Sequence, residues 1–79
     1  MMMKVVEKFY VIVNKDNAYF NIDSLSGGYP CYVDSLTIAF KFESKEEAYK
    51  FMKDDYANKF KGFFNDTQVK CITITMEDV

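Results

Sequence analysis

Ser44-Lys-Glu-Glu-Ala-Tyr-Lys-Phe-Met-Lys-Asp-Asp-Tyr-Ala-Asn-Lys-Phe-Lys-Gly62 is the stretch whose reading decides the fold. Ser44 followed three positions later by Glu47 is a capping box: the hydroxyl accepts from the amide of the third helical residue, and the carboxylate reaches back to the amide of the cap. A helix is therefore predicted to start at Lys45. Ala48, Phe51, Met52, Tyr56 and Phe60 recur at steps of three and four and form one stripe, with Glu46, Lys50, Lys53, Asp54 and Lys61 on the other side. Lys59 and Lys61 suit the negative end of the helix dipole, and Gly62 can adopt the left-handed conformation that ends a helix. The reading is one long amphipathic helix of roughly 17 residues, about 25 Å at 1.5 Å per residue. Its apolar stripe needs a surface to lie on.

That surface is supplied on both sides in sequence. Residues 5–14 are rich in β-branched and aromatic side chains and predict a strand. Phe9, Val11 and Val13 fall on one face, Tyr10 and Ile12 on the other. Both faces are apolar, so the strand is either central and covered on both sides or has one face in a subunit contact. Asn14-Lys15-Asp16-Asn17 is a turn cluster, and residues 18–22 return as the second strand of a hairpin. Residues 23–30 form a loop holding Gly27, Gly28 and Pro30, and Cys31-Tyr32-Val33 is a short third strand. Asp34 can cap a helical turn over 35–39, which leads through Phe40-Lys41-Phe42 into the helix. After Gly62, residues 63–67 are a loop and 68–76 the last strand. Ile72, Ile74 and Met76 alternate there with Cys71, Thr73 and Thr75, and the apolar face is expected to meet the helix. The expected fold is α+β in ββ(β)αβ order, an antiparallel sheet of three to four strands with one helix packed across it, forming a single domain over residues 1–79.

At 79 residues with a net charge of -2, the chain has room for one core. It contains no His, and Cys31 and Cys71 stand far apart, so no metal site of ordinary ligand spacing is expected. A Cys31–Cys71 disulfide is formally possible. Glu7 interrupts the apolar run that a signal peptide needs, however, and the expectation is a cytoplasmic protein with reduced thiols. No run of 18 apolar residues is present to span a membrane. The basic residues are all Lys, and the absence of Arg argues against direct nucleic-acid binding. Phe and Tyr make 18% of the chain, more than a core of this size needs. Either the surplus makes contacts, or it reflects an AT-rich genome, which also writes Lys in place of Arg.

Without His the commonest general base is missing, and the chain is not expected to be an enzyme or to use a cofactor. Asp54 and Asp55 point about 100° apart on a helix and read as solvated charge rather than as a catalytic pair. The best candidate contact site is the loop. Gly27 and Gly28 can turn backbone amides together into an anion-binding nest, and Tyr29 and Tyr32 can stack on a planar group. Phosphates there would rely on the amides and on Lys15, Lys41 or Lys45. The alternative is a Gly-Gly hairpin whose tyrosines close over the sheet edge. Cys31 reads as a small buried residue, since no basic neighbour lowers its pKa. Phe40, Phe42, Phe63 and Phe64 flank the helix at its two ends. Phe63 and Phe64 cannot both point inward from an extended loop, so one is expected in a subunit or partner contact. Met1, Met2 and Met3 with Val5 and Val6 suggest an N-terminal arm covered by another chain. Self-association is expected, with Phe40, Phe63, Phe64, Met3 and Val5 at the interface.

Tyr10-Val-Ile-Val-Asn-Lys-Asp16, an aromatic residue before Val33-Asp34-Ser35-Leu36, and then Ala39, Phe42, Ser44 and Glu46-Glu47-Ala48 stand at offsets that resemble small accessory proteins encoded by phages of low-GC Gram-positive bacteria. Such proteins include antagonists of host defence. Some bind a defence protein, as anti-CRISPRs do; others are sponges that trap a nucleotide immune signal. The resemblance implies a stoichiometric binder in the host cell cytoplasm that sequesters a small nucleotide-derived immune signal in a pocket between subunits. The alternative it leaves open is an inhibitor that blocks a host defence protein by direct contact.

Overall fold

Eleven consecutive residues rich in Val, Phe, Tyr and Ile make β1, Met3–Val13, the strand around which the rest is built. β2 covers Tyr19–Asp23, β3 Tyr29–Val33 and β4 Gln68–Glu77. They form one antiparallel sheet in the order β3-β2-β1-β4. Two short helices, α1 over Lys45–Phe51 and α2 over Asp55–Lys59, lie between β3 and β4, so the class is α+β with four strands. The structure is a computed structural model and describes residues 3–60 and 62–77, without the side chains of Met3, Ser26, Asp55 and Tyr56. The parts expected of Met1, Met2, the Met3 side chain, Tyr56 and Lys61 lie outside the described residues.

The two apolar faces of β1 are both used within the chain over residues 9–13. Phe9, Val11 and Val13 pack with Ala39, Leu36 and Ile72, beneath the 3-10 turn Leu36–Ile38. Ile12 on the opposite face packs with Phe20, Phe42 and Ala48, beneath the helices. β2 pairs with β1 at Val13–Tyr19 and then diverges. The segment 40–42 fills the opening: Phe40 N–H donates to Phe20 O at 2.9 Å, and Phe42 exchanges bonds of 2.8 and 2.9 Å with Tyr10. The sheet curls around this wedge and encloses the aromatic core.

The single long helix is not what forms. The start is as predicted, with the Glu47 amide donating to Ser44 Oγ at 3.1 Å, although the Glu47 carboxylate accepts from the Glu43 amide rather than from Ser44. After Phe51 the chain closes a tight turn, Lys53 N–H to Lys50 O and Asp54 N–H to Phe51 O. Asp54 is extended at ψ -175° and accepts from the Ala57 amide at 3.1 Å, capping α2. A short carboxylate competes well for free amides at a helix start and poorly inside a helix, which is why the break falls at this residue. Of the expected stripe, Ala48, Phe51 and Met52 reach the core, and Ala57, outside that stripe, is buried as well. Gly62 is left-handed at φ 83°, as expected, but serves a turn after α2, since Phe60 is the cap.

β4 also departs from expectation. Ile72 faces away from the helices, into the cluster of Phe9, Val11 and Val13, and it is Val69 that packs on the helix side. Ile74 and Met76 remain 40% and 55% exposed, and Val5 and Val6 on the adjoining stretch of β1 56% and 51%. The outer ends of β1 and β4 thus extend beyond the core as a two-stranded ribbon. Among the described residues, no helix is long and apolar enough to cross a membrane.

Candidate functional site

The β2–β3 loop is built by its own short-range chemistry. Asp23 ends β2 and accepts from the Leu25 amide at 3.0 Å, which starts the 3-10 turn Ser24–Ser26. Two successive left-handed residues then reverse the chain, at φ 81° and 87°, and only glycine adopts this pair without strain. They are Gly27 and Gly28. Tyr29 opens β3, and its ring meets Phe60 edge to face with centroids 5.7 Å apart. Phe60 ends α2, directly after Lys59. Between loop and helix lies a cleft of about 470 Å³ lined by Ile22, Gly27, Gly28, Tyr29, Lys59 and Phe60. A Cβ added at either glycine would meet nothing within 4 Å, so the backbone itself forms part of the wall.

Gly27, Gly28 and Tyr29 line one cleft, but the two glycine amides are engaged within the loop and do not form the expected nest. The Gly28 amide donates to Asp23 O at 2.9 Å and the Gly27 amide to Ser24 O at 3.4 Å. Amides engaged in closing the turn do not form an open nest. Among the described residues, the cation lining the cleft is Lys59, which the sequence places at the helix dipole.

The remaining candidates are placed elsewhere. Tyr32 stacks flat on Phe63 at 4.6 Å and donates its hydroxyl to Phe63 O at 2.7 Å, and burial raises its phenol pKa. Lys15 lines a separate hollow with Asn14, Asp66 and Thr67, at the other end of β2. Lys41 donates to Thr37 O at 3.1 Å and to Ala39 O at 3.3 Å and sits over the Phe9 ring at 5.3 Å. Lys45 is the exposed first residue of α1. Phe40, Phe63 and Phe64 are half-buried and surround Phe20 at 5.8, 6.1 and 5.1 Å. Both Phe63 and Phe64 turn inward because residues 62–66 lie in turns and are not extended: Phe63 N–H bonds Phe60 O and Asn65 N–H bonds Gly62 O. Val5 is exposed on the ribbon. Cys31 is half-buried with its thiol 3.5 Å from Asn21 O, and Cys71 is exposed; both are free.

Lys59, Phe60 and Ile22 are the lining residues that sequence reasoning missed. Lys59 and Phe60 are absorbed by the helix, as a terminal charge and the end of a stripe, and Ile22 by the second strand. An ammonium, two rings in edge contact and a bare glycine wall can hold a planar group bearing an anion. Among the described residues, no group of three metal-ligating side chains gathers. Comparison with protein-family models, with curated proteins and with solved structures finds no match to the chain.

Proposed function

We propose that this chain is a stoichiometric binding protein of phage type that antagonises host antiviral defence by sequestering a small nucleotide-derived signal. The observation that carries this reading is the cleft in which Gly27, Gly28 and Tyr29 meet Lys59 and Phe60. Its volume falls in the range of small-ligand pockets. A base stacks on the aromatic pair, and aromatic stacking of a base is worth roughly 1–3 kcal/mol. Lys59 pairs with a phosphate as a point charge, which suits a small ligand such as a cyclic nucleotide or an ADP-ribose derivative. The host cytoplasm is where such a signal is met. No catalytic step belongs to this reading, since a sponge works by mass action.

A melting-temperature panel of such nucleotides tests it. A ligand at 100 times its dissociation constant adds about 2.7 kcal/mol, enough to raise the Tm of a domain this small by roughly 15 °C. Lys59→Ala is expected to remove most of that rise while lowering the ligand-free Tm by only a few degrees, about the worth of a cation at a helix end. A panel in which no nucleotide moves the Tm overturns the reading.

A second reading, the inhibitor that contacts a host defence protein, is favoured by Val5 and Val6, which stand exposed on the projecting end of β1. Capture of a stoichiometric protein from host lysate, lost in the Val5→Glu variant, supports this reading in place of the first.

A further inference from the structure

The sheet has two ends, and they are protected unequally. At one end β3 is short and carries Pro30, which has no amide to offer a neighbouring strand. At the other end β4 runs ten residues, Gln68–Glu77, with neither Pro nor Gly. The register irregularity between Val5 and Glu7, which leaves Val6 without a partner, belongs to β1, and β4 stays regular. We infer that the outer edge of β4 pairs antiparallel with the β4 of a second copy of this chain, joining two sheets into one.

The hydrogen-bonding direction of β4 follows from the pairing around Tyr10. Tyr10 exchanges both backbone bonds with Phe42 on its far side, so its pair with Cys71 is the non-bonded kind. Alternation then turns the backbone of Lys70, Ile72 and Ile74 toward β1. Val69, Cys71, Thr73 and Thr75 turn theirs outward, where no strand lies beside them among the described residues.

A second copy fits this edge because a two-fold axis through Thr73 matches like with like. Ile72 falls opposite the partner's Ile74, Cys71 opposite the partner's Thr75, and Thr73 opposite the partner's Thr73. Lys70 meets the partner's Met76 and lays its stem along the thioether, so no like charges stand opposed. Overlap over residues 69–77 spans about 30 Å at 3.4 Å per residue. Ile74 and Met76, exposed in the single chain, gain apolar neighbours. The closed two-fold pair leaves only the β3 edges, each with its Pro30, at the ends of the joined sheet. The Gly27–Phe60 clefts lie at those outer ends, so the dimer stands whether or not the ligand reading does.

Hydrogen exchange followed by NMR across a dilution series tests the pairing, with sedimentation giving the mass. The expected result is a dimer in which the Cys71, Thr73 and Thr75 amides are protected at high concentration and exposed on dilution, while Lys70, Ile72 and Ile74 are protected throughout. Thr73→Pro removes two bonds per dimer and is expected to weaken association roughly thirtyfold, at the ordinary net worth of a hydrogen bond. Thr75→Lys, which leaves the backbone free to fold, is expected to weaken it as well. A chain that stays monomeric at high concentration, or a dimer in which these three amides exchange freely, overturns the inference.

Discussion

Phe20 is fully buried, and the rings of Phe40, Phe51, Phe63 and Phe64 stand around it at 5.1 to 6.1 Å. Truncating a ring so enclosed removes its transfer energy and leaves a cavity. Phe20→Ala is expected to cost about 3–5 kcal/mol, read as a fall in the urea midpoint. Tyr32 makes a second prediction, in pH. Burial raises its pKa above the ordinary 10.0, so the folded state holds this proton more tightly than the unfolded state does. Stability is therefore indifferent to Tyr32 below about pH 10 and falls as pH rises through the window above it. Tyr32→Phe is expected to lack that part of the alkaline slope in urea titrations. The aromatic excess was legible as a number but not as a place. Whether Phe63 and Phe64 both face the core depends on a turn closed by Phe60 O, and composition does not contain that turn.

Between the capping box at Ser44 and the left-handed Gly62, the period of three and four runs unbroken through Asp54, which is why the sequence reads as one helix. The same carboxylate that looks solvated on a continuous helix caps a new one in the structure. The two arrangements predict opposite signs. In a continuous helix Asp54→Ala would stabilise, since alanine is the better helix interior residue. With Asp54 as cap, Asp54→Ala is expected to destabilise by about 1 kcal/mol, measured by urea unfolding. The strands were more legible than the helices. The two apolar faces of β1 announce a central position, and the turn residues at 14–17 and 23–28 mark the β1–β2 and β2–β3 connections. The face assignment of β4 was not legible, because period-2 alternation says that faces differ and not which layer each one meets. Pairing with β1 decides it, by setting Ile72 beside Phe9.

The molecule measures 48 × 25 × 21 Å with a radius of gyration of 14.2 Å. A compact chain of this length would have a radius of about 12 Å. The excess fits the ribbon that β1 and β4 extend past the core. The aromatic and glycine side of the cleft was readable from one loop. Lys59 and Phe60 come from α2 and arrive through tertiary packing, so sequence proximity pointed to other lysines. Native mass spectrometry of the protein purified gently from a host with active phage defence tests the sponge reading most directly. The expected result is a reproducible added mass of one nucleotide-sized molecule per chain, absent from Lys59→Ala. A clean ligand-free mass from the unaltered protein would contradict it.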